Sequence, residues 1–256
     1  MSPTTGAADR TAVITGAASE RGIGRCLARR LAANGWNLGL IDLDREALQS
    51  AAEEASAAGV RVAAVACDIT DADAIDRAAE RFEHGLPPVS ALANIAGIAD
   101  PTPLLETSPQ RWERVLRVNA TGTFLVTQRF AIGMAQRGYG RIVSLSSTAA
   151  QSGGGTYSAG AYAASKAAIE GMTRGLALEL APKGVTVNAI APAIVDTDIM
   201  GGRITAERAP AFLASLPVGR LGTTVEVAAL IEFLFGSQAG YITGTTVNIN
   251  GGARIG

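Results

Sequence analysis

Histidine is nearly absent from this chain of 256 residues, His84 being the single one. A multi-histidine metal centre is thereby excluded, and no metal site is expected. A Ser-His-Asp hydrolase would have to use His84, and no Gly-x-Ser-x-Gly elbow accompanies it. His84 begins His84-Gly85-Leu86-Pro87-Pro88, which reads as a helix end entering a loop, so a cation in a last helical turn is expected there. Cysteine is scarce as well. Cys26 and Cys67 make no disulfide framework and have no ligand spacing, which suits a reducing compartment. An excess of positive charge is missing: 22 Lys and Arg stand against 23 Asp and Glu, so nucleic acid is not an expected partner. No apolar run approaches the roughly 20 residues that span a bilayer, and Met1–Arg10 has no apolar leader segment. The expectation is a soluble, cytoplasmic protein without membrane contact.

What is present is an alternation of apolar runs with segments of helical period. The strand candidates are Thr11–Thr15, Asn37–Ile41, Val60–Cys67, Val89–Ile95, Arg141–Ser146, Val185–Ile190 and Thr245–Ile249. Helices are expected at Gly22–Asn34, after Asp71, within Ser108–Gln136, at Tyr162–Leu180 and at Val225–Phe235. Strands joined by helices imply an α/β fold: a Rossmann-type, doubly wound, seven-stranded parallel sheet with helices on both faces. No linker or repeat divides the chain, so residues 1–256 are read as one domain.

Two constellations carry chemistry. Between the first strand and the first helix lies Thr15-Gly16-Ala17-Ala18-Ser19-Glu20-Arg21-Gly22-Ile23-Gly24. A glycine turn there presents backbone N–H groups and a helix N-terminus to a pyrophosphate. The second strand runs into Asp42, a carboxylate able to accept from a ribose 2′-hydroxyl, although a strand-end Asp is also a common helix cap. The second constellation is Tyr162-Ala163-Ala164-Ser165-Lys166, a phenol and an ammonium on one helix face. Lysine is rare here, Lys183 being the only other. The ammonium is expected to lower the phenol's pKa and make Tyr162 a general acid/base.

These residues, in this order, resemble the short-chain dehydrogenase/reductase family, in its compact single-domain subgroup, from about Thr11 to Gly252. The resemblance implies a catalytic set of Asn119, Ser147, Tyr162 and Lys166. Ser147 would bind the substrate oxygen and Asn119 would anchor a proton-relay water. It implies cofactor contacts from Gly16, Ser19, Arg21, Gly22, Ile23, Gly24 and Asp42, from Asp68 and Ile69 at adenine, and from Asn94, Ala96 and Gly97 after the fourth strand. Tyr162 and Lys166 would touch the cofactor as well, with Pro192, Val195 and Thr197 at the nicotinamide carboxamide. Hydride transfer between a nicotinamide cofactor and a ketone or secondary alcohol follows, with a 3-oxoacyl thioester or hydroxy acid as the alternative substrate. A non-catalytic dinucleotide-binding redox sensor is the alternative from another class, and the intact catalytic set speaks against it.

The chain departs from the family pattern in places. Five residues separate Gly16 from Gly22 where three are usual, so the turn should bulge; Ile95 replaces an asparagine and Ala193 a glycine. Asp42 favours NAD, while Arg21 brings NADP into play because a basic residue there meets the 2′-phosphate in related reductases. Residues 198–221 are expected to form a substrate lid, with Ala206, Pro210, Phe212 and Leu213 as apolar surface and Gln151–Gly160, including Tyr157, as the opposite wall. Arg203 and Arg208 are expected on the lid's solvent face, and Arg220 is read as structural. By resemblance the Ser108–Gln136 and Tyr162–Leu180 helices pair across a two-fold axis in a homotetramer.

Overall fold

The computed structural model describes residues 10–155 and 158–255, apart from the Met200 side chain. Tyr157 lies outside the described residues. The strands are β1 (Thr11–Thr15), β2 (Asn37–Asp42), β3 (Val62–Ala66), β4 (Val89–Asn94), β5 (Gly140–Leu145), β6 (Val185–Pro192) and β7 (Thr246–Ile249). They form one parallel sheet in the order β3-β2-β1-β4-β5-β6-β7. The order reverses between β1 and β4, and a crevice opens where two crossovers leave a sheet in opposite directions.

Alternation along the strands divides the core in two. On β1, Ala12 and Ile14 pack into the layer under α1 (Ile23–Ala33), α2 (Arg45–Ser56) and α9 (Thr224–Phe235). Val13 points the other way, into the layer under α3 (Ala72–Gly85), α5 (Thr123–Arg137) and α7 (Gly160–Leu180). Helix α1 buries Ile23, Leu27, Ala28 and Leu31 at spacings of three and four, the pattern that puts one stripe on a sheet. Trp36 closes that layer against Phe235, ring centroids 5.9 Å apart.

Helix starts follow from capping chemistry. Asp44 caps α2 through the Ala47 N–H and Asp71 caps α3 through the Ala74 N–H. Asp42 is therefore not the cap of α2. His84 sits in the last turn of α3 with Nδ1 2.7 Å from the Glu80 carbonyl, as a helix-end residue. The helix expected within Ser108–Gln136 is interrupted. Helix α4 (Pro109–Leu116) passes through a π turn at Arg117–Gly122 before α5 begins, and Asn119 stands in that turn. Such widened turns are frequent at functional sites. Short helices α6 (Ala149–Ser152) and α8 (Ala209–Leu213) complete the chain. The expected lid holds a 3₁₀ turn at Asp198–Met200 as well as α8, and its base is pinned where Val195 bridges Gly222.

Candidate active site

A cavity of about 810 Å³ opens at the β1/β4 crevice. Of the residues expected at a cofactor, Gly16, Ser19, Gly22, Ile23, Asp42, Asp68, Ile69, Ala96, Gly97 and Thr197 line it. Gly16 has φ +71°, and a Cβ there would lie 2.8 Å from the Ala96 nitrogen, so the turn needs glycine both for its conformation and for the approach of the next loop. A Cβ on Gly24 would run into the Gly16 carbonyl, so that glycine serves helix-to-strand packing and does not line the cavity. The two extra residues of the turn are absorbed in a tight bend where the Gly22 N–H bonds the Ser19 carbonyl at 2.9 Å. Helix α1 starts at Gly22 with no side-chain cap and no acidic residue in its first turn. Its positive end is open to the cavity, the arrangement that suits a phosphate.

Asp42 accepts the Ala18 N–H on Oδ2 at 2.9 Å and the Leu43 N–H on Oδ1 at 2.7 Å. The carboxylate is thus locked to the glycine turn, with lone pairs left for a diol. Other expected contacts are placed elsewhere. Asn94 is buried and ties β4 to Thr127 and Ser144 at 2.8 and 3.1 Å, behind the cavity wall. Pro192 accepts the Thr148 N–H at the end of β6, and Val195 packs in the core. Arg21 is turned to the carboxylates of Asp196 and Asp198. Leu43, Arg114 and Ile199 line the cavity without a motif to announce them.

The acid/base residues gather beside Gly97. Built as alanine, Gly97 would place its Cβ 3.0 Å from Asn119 Oδ1 and 3.6 Å from Lys166 Nζ. Tyr162 packs with Val115, Ala149, Ala161, Ile98 and Trp112. Burial pushes its phenol above the ordinary value, and a hydrogen bond with Ser147 opposes that rise. Lys166 is 2% exposed, donates to the Leu145 carbonyl at 2.6 Å and is pushed down to about 8 by burial. This corrects the expectation of a phenol already lowered by the ammonium. Desolvation is the largest influence on both groups, because each is taken from water without a counter-charge.

Asn119 donates from Nδ2 to the Ile98 carbonyl and to Ser165 Oγ, both at 2.9 Å, and accepts the Ile98 N–H at 2.8 Å. The side chain holds the Gly97–Ile98 loop against α7, with one Oδ1 lone pair left over. Ser165 carries no signal of its own in the sequence beyond its place inside the Tyr-x-x-x-Lys interval. Neither does Glu170, which accepts from Ser146 at 2.8 Å and ties the residue before Ser147 to α7. On the lid, Arg203 is exposed and Arg208 lies 5.8 Å from the Phe212 ring centroid. Arg220 pairs with Glu226 at 2.6 Å, a structural role at the start of α9.

The chain is similar to known proteins over nearly its whole length. A family model described as enoyl-(acyl carrier protein) reductase matches residues 16–254. The chain is 40% identical over 245 residues to galactitol 2-dehydrogenase (L-tagatose-forming) of Cereibacter sphaeroides, covering 95% of this chain and 94% of that one. It is 37% identical over 245 residues to a 3-oxoacyl-acyl-carrier-protein reductase of Aquifex aeolicus, covering 95% and 96%. A crystal structure of a 3-oxoacyl-acyl-carrier-protein reductase with bound NAD from Brucella melitensis superposes with a TM-score of 0.88 at 34% identity, covering 97% of this chain and 92% of the other. The glycine turn, the reversal of strand order and this breadth of similarity lead to one conclusion: the chain belongs to the short-chain dehydrogenase/reductase family and is a nicotinamide-dependent oxidoreductase.

Proposed function

We propose that the protein transfers a hydride between NAD(H) and a ketone or secondary alcohol carbon, with Tyr162 as general acid/base. The observation that carries this reading is the Ser147–Tyr162 hydrogen bond with Lys166 Nζ 3.6 Å from where a Gly97 Cβ would stand, Gly97 itself lining the cavity that the glycine turn and Asp42 also line. The nicotinamide, when bound, supplies or takes the hydride. The chain's own groups manage the proton. In the reducing direction Ser147 Oγ holds the substrate oxygen and Tyr162 gives it the phenolic proton. Lys166, held at the Leu145 carbonyl, offsets the charge of the phenolate that remains. Asn119 anchors a relay water through its remaining lone pair, and that water returns a proton to Tyr162.

NAD is favoured over NADP because Asp42 meets the ribose end with a full negative charge, while Arg21 is engaged with two carboxylates. The family model's description names enoyl reduction, whereas the spacing of four residues between Tyr162 and Lys166 fits the carbonyl-reducing members better. Residues 198–221 are proposed as the substrate lid, with a medium-sized, mostly apolar carbonyl substrate and a 3-oxoacyl thioester or hydroxy acid as the second candidate. A cytoplasmic homotetramer is the proposed working form.

The test is a steady-state survey of neutral and anionic ketones and alcohols with both cofactors, followed by nicotinamide absorbance. Turnover with NAD(H) that disappears in Tyr162→Phe supports the reading. Tight dinucleotide binding with no turnover of any carbonyl or alcohol, in a protein whose partners change with the redox state of the nicotinamide, would favour the sensor.

A further inference from the structure

We infer that Arg21 is a positioning and specificity-determining residue: clasped to Asp196 and Asp198, it fastens the lid to the glycine turn across the cavity and is thereby withheld from a 2′-phosphate. This rests on the dinucleotide reading above. The two walls it joins belong to the same cavity, Ser19 and Gly22 on one side and Thr197, Asp198 and Ile199 on the other. Arg21 owes its reach to the long turn, since Glu20 and Arg21 occupy the bend closed by the Ser19–Gly22 hydrogen bond.

The clasp is a network. The guanidinium meets Asp196 Oδ1 and Asp198 Oδ1 at 2.7 Å each, and Ser19 Oγ donates to Asp198 Oδ2 at 3.0 Å. Asp196 Oδ1 also accepts the Ile204 N–H at 3.0 Å, which fixes the lid's next segment to the same carboxylate. Those bonds hold the Asp196 carboxyl below the usual carboxylate range. A single half-exposed ion pair contributes little. Here one guanidinium, 22% exposed, serves two carboxylates whose positions are also fixed by a hydroxyl and a backbone amide.

The charge arithmetic gives the functional consequence. One cation and two anions leave a net charge of about −1 beside the open N-terminus of α1, where an anionic cofactor is drawn. Removing Arg21 leaves two uncompensated carboxylates, which loosens the lid and repels both cofactors, NADPH the more. Neutralising both carboxylates also loosens the lid, but it frees a guanidinium on the same glycine turn that Asp42 holds through the Ala18 N–H, where only NADPH carries an additional phosphate. The two changes therefore act alike on the lid and oppositely on NADPH.

The experiment uses the full-length protein in three forms beside wild type: Arg21→Met, Asp196→Asn/Asp198→Asn, and Glu20→Ala as a control on an exposed neighbour. Trypsin cleavage after Arg203 and Arg208, followed by mass spectrometry without cofactor, reports the lid. It should accelerate by about threefold or more in the first two and not in Glu20→Ala, and added salt should accelerate it in wild type only. Dissociation constants for NADH and NADPH by fluorescence titration report specificity. Arg21→Met should weaken both, and the double carboxylate variant should raise the NADPH:NADH affinity ratio by about threefold or more. Unchanged lid cleavage in both clasp variants overturns the positioning role, and an unchanged ratio overturns the specificity role. If wild type binds neither dinucleotide, the cofactor reading fails while the cleavage rates still decide the clasp.

Discussion

The Lys166 ammonium stands 5.7 Å from the centroid of the Tyr162 ring while donating to the Leu145 carbonyl at 2.6 Å. A backbone dipole at the end of β5 therefore fixes the ammonium one helical turn from the phenol, and no carboxylate pairs with it among the described residues. Burial of both groups carries a cost in solvation. A phenolate at Tyr162 would be the counter-charge, and the proposed mechanism pairs the two groups when it forms.

Removing the phenolic hydroxyl tests that pairing. Tyr162→Phe keeps the ring among Val115, Ala149 and Ala161 but removes the proton and the bond to Ser147. Turnover is expected to fall about 10²- to 10⁴-fold, while the melting temperature moves by no more than about 3 °C. Steady-state rates beside a thermal melt separate the two effects.

Lys166 makes a prediction about stability. Its pKa is lowered from 10.5 to about 8 on folding, so between those values the unfolded chain binds more protons than the native one. Stability therefore rises with pH over that interval, and the full penalty of the buried charge is felt below pH 8. The free energy of wild type relative to Lys166→Met should increase by roughly 2 kcal/mol from pH 8 to pH 10. Tyr162 is raised above 10 and leaves this window clear. Urea unfolding of both proteins at several pH values measures it, and parallel curves would show that the ammonium is not desolvated.

The sheet and the groove were legible in the sequence because they rest on local signals: apolar strands of four to eight residues, glycines at a strand-to-helix turn, and a phenol four residues before a lysine. What was not legible depends on contacts between distant segments. Arg21 has the same local sequence whether it meets a phosphate or Asp196, 175 residues away. Asn94 reads in the sequence as a cofactor contact and Asn119 as a water anchor, and their ties to Thr127, Ser144, Ile98 and Ser165 are seen only in the fold. The π turn at Asn119 carries no sequence mark; it stands between α4 and α5, both of which pack against α7.

Cofactor choice should respond to Asp42 in a way that separates charge from structure. Asp42→Ala is expected to move the kcat/KM ratio toward NADP(H) by about tenfold, or about 1.4 kcal/mol. It should also cost about 1 to 3 kcal/mol of stability, because the Ala18 and Leu43 N–H groups lose their acceptor. Asp42→Asn keeps one acceptor and removes the charge, so it should produce much of the change in ratio with less of the stability loss. Kinetics with both cofactors and urea unfolding of the two variants give the comparison.

Helix α9 begins with a reciprocal cap: Thr223 Oγ1 accepts the Glu226 N–H while Glu226 accepts the Thr223 N–H and the Arg220 guanidinium. Arg220 and then Thr223 hold the Glu226 carboxyl at about 2, below the unfolded value of 4.5. Its contribution is present above pH 4.5 and is lost as pH falls toward 2. Thr223→Ala should cost about 1 kcal/mol, about 2 to 4 °C in melting temperature. The deficit of Glu226→Gln should shrink as the melt is moved from neutral pH toward pH 3.

Assembly follows from where apolar surface is left uncovered. Phe124 and Ile132 on α5 are 41% and 56% exposed, and Leu178 on the adjoining α7 is 81% exposed. Gly171 and Gly175 leave open space on α7, so a neighbouring helix can approach closely. Leu125 and Leu176, by contrast, pack into the chain's own core. Helices pairing across a two-fold axis would cover the first patch with its own copy. Val225 and Phe233 on α9, 58% and 46% exposed, form a second patch, and two patches with two axes make a closed tetramer. Wild type is expected to sediment as a tetramer at micromolar concentration. Leu178→Arg brings like charges toward each other at the first axis and should reduce the tetramer to dimers held by the second patch. Phe233→Asp should do the converse, leaving dimers held through α5 and α7. A stable wild-type monomer at that concentration would refute the arrangement. A tetramer indifferent to Leu178→Arg would move the first axis away from α7.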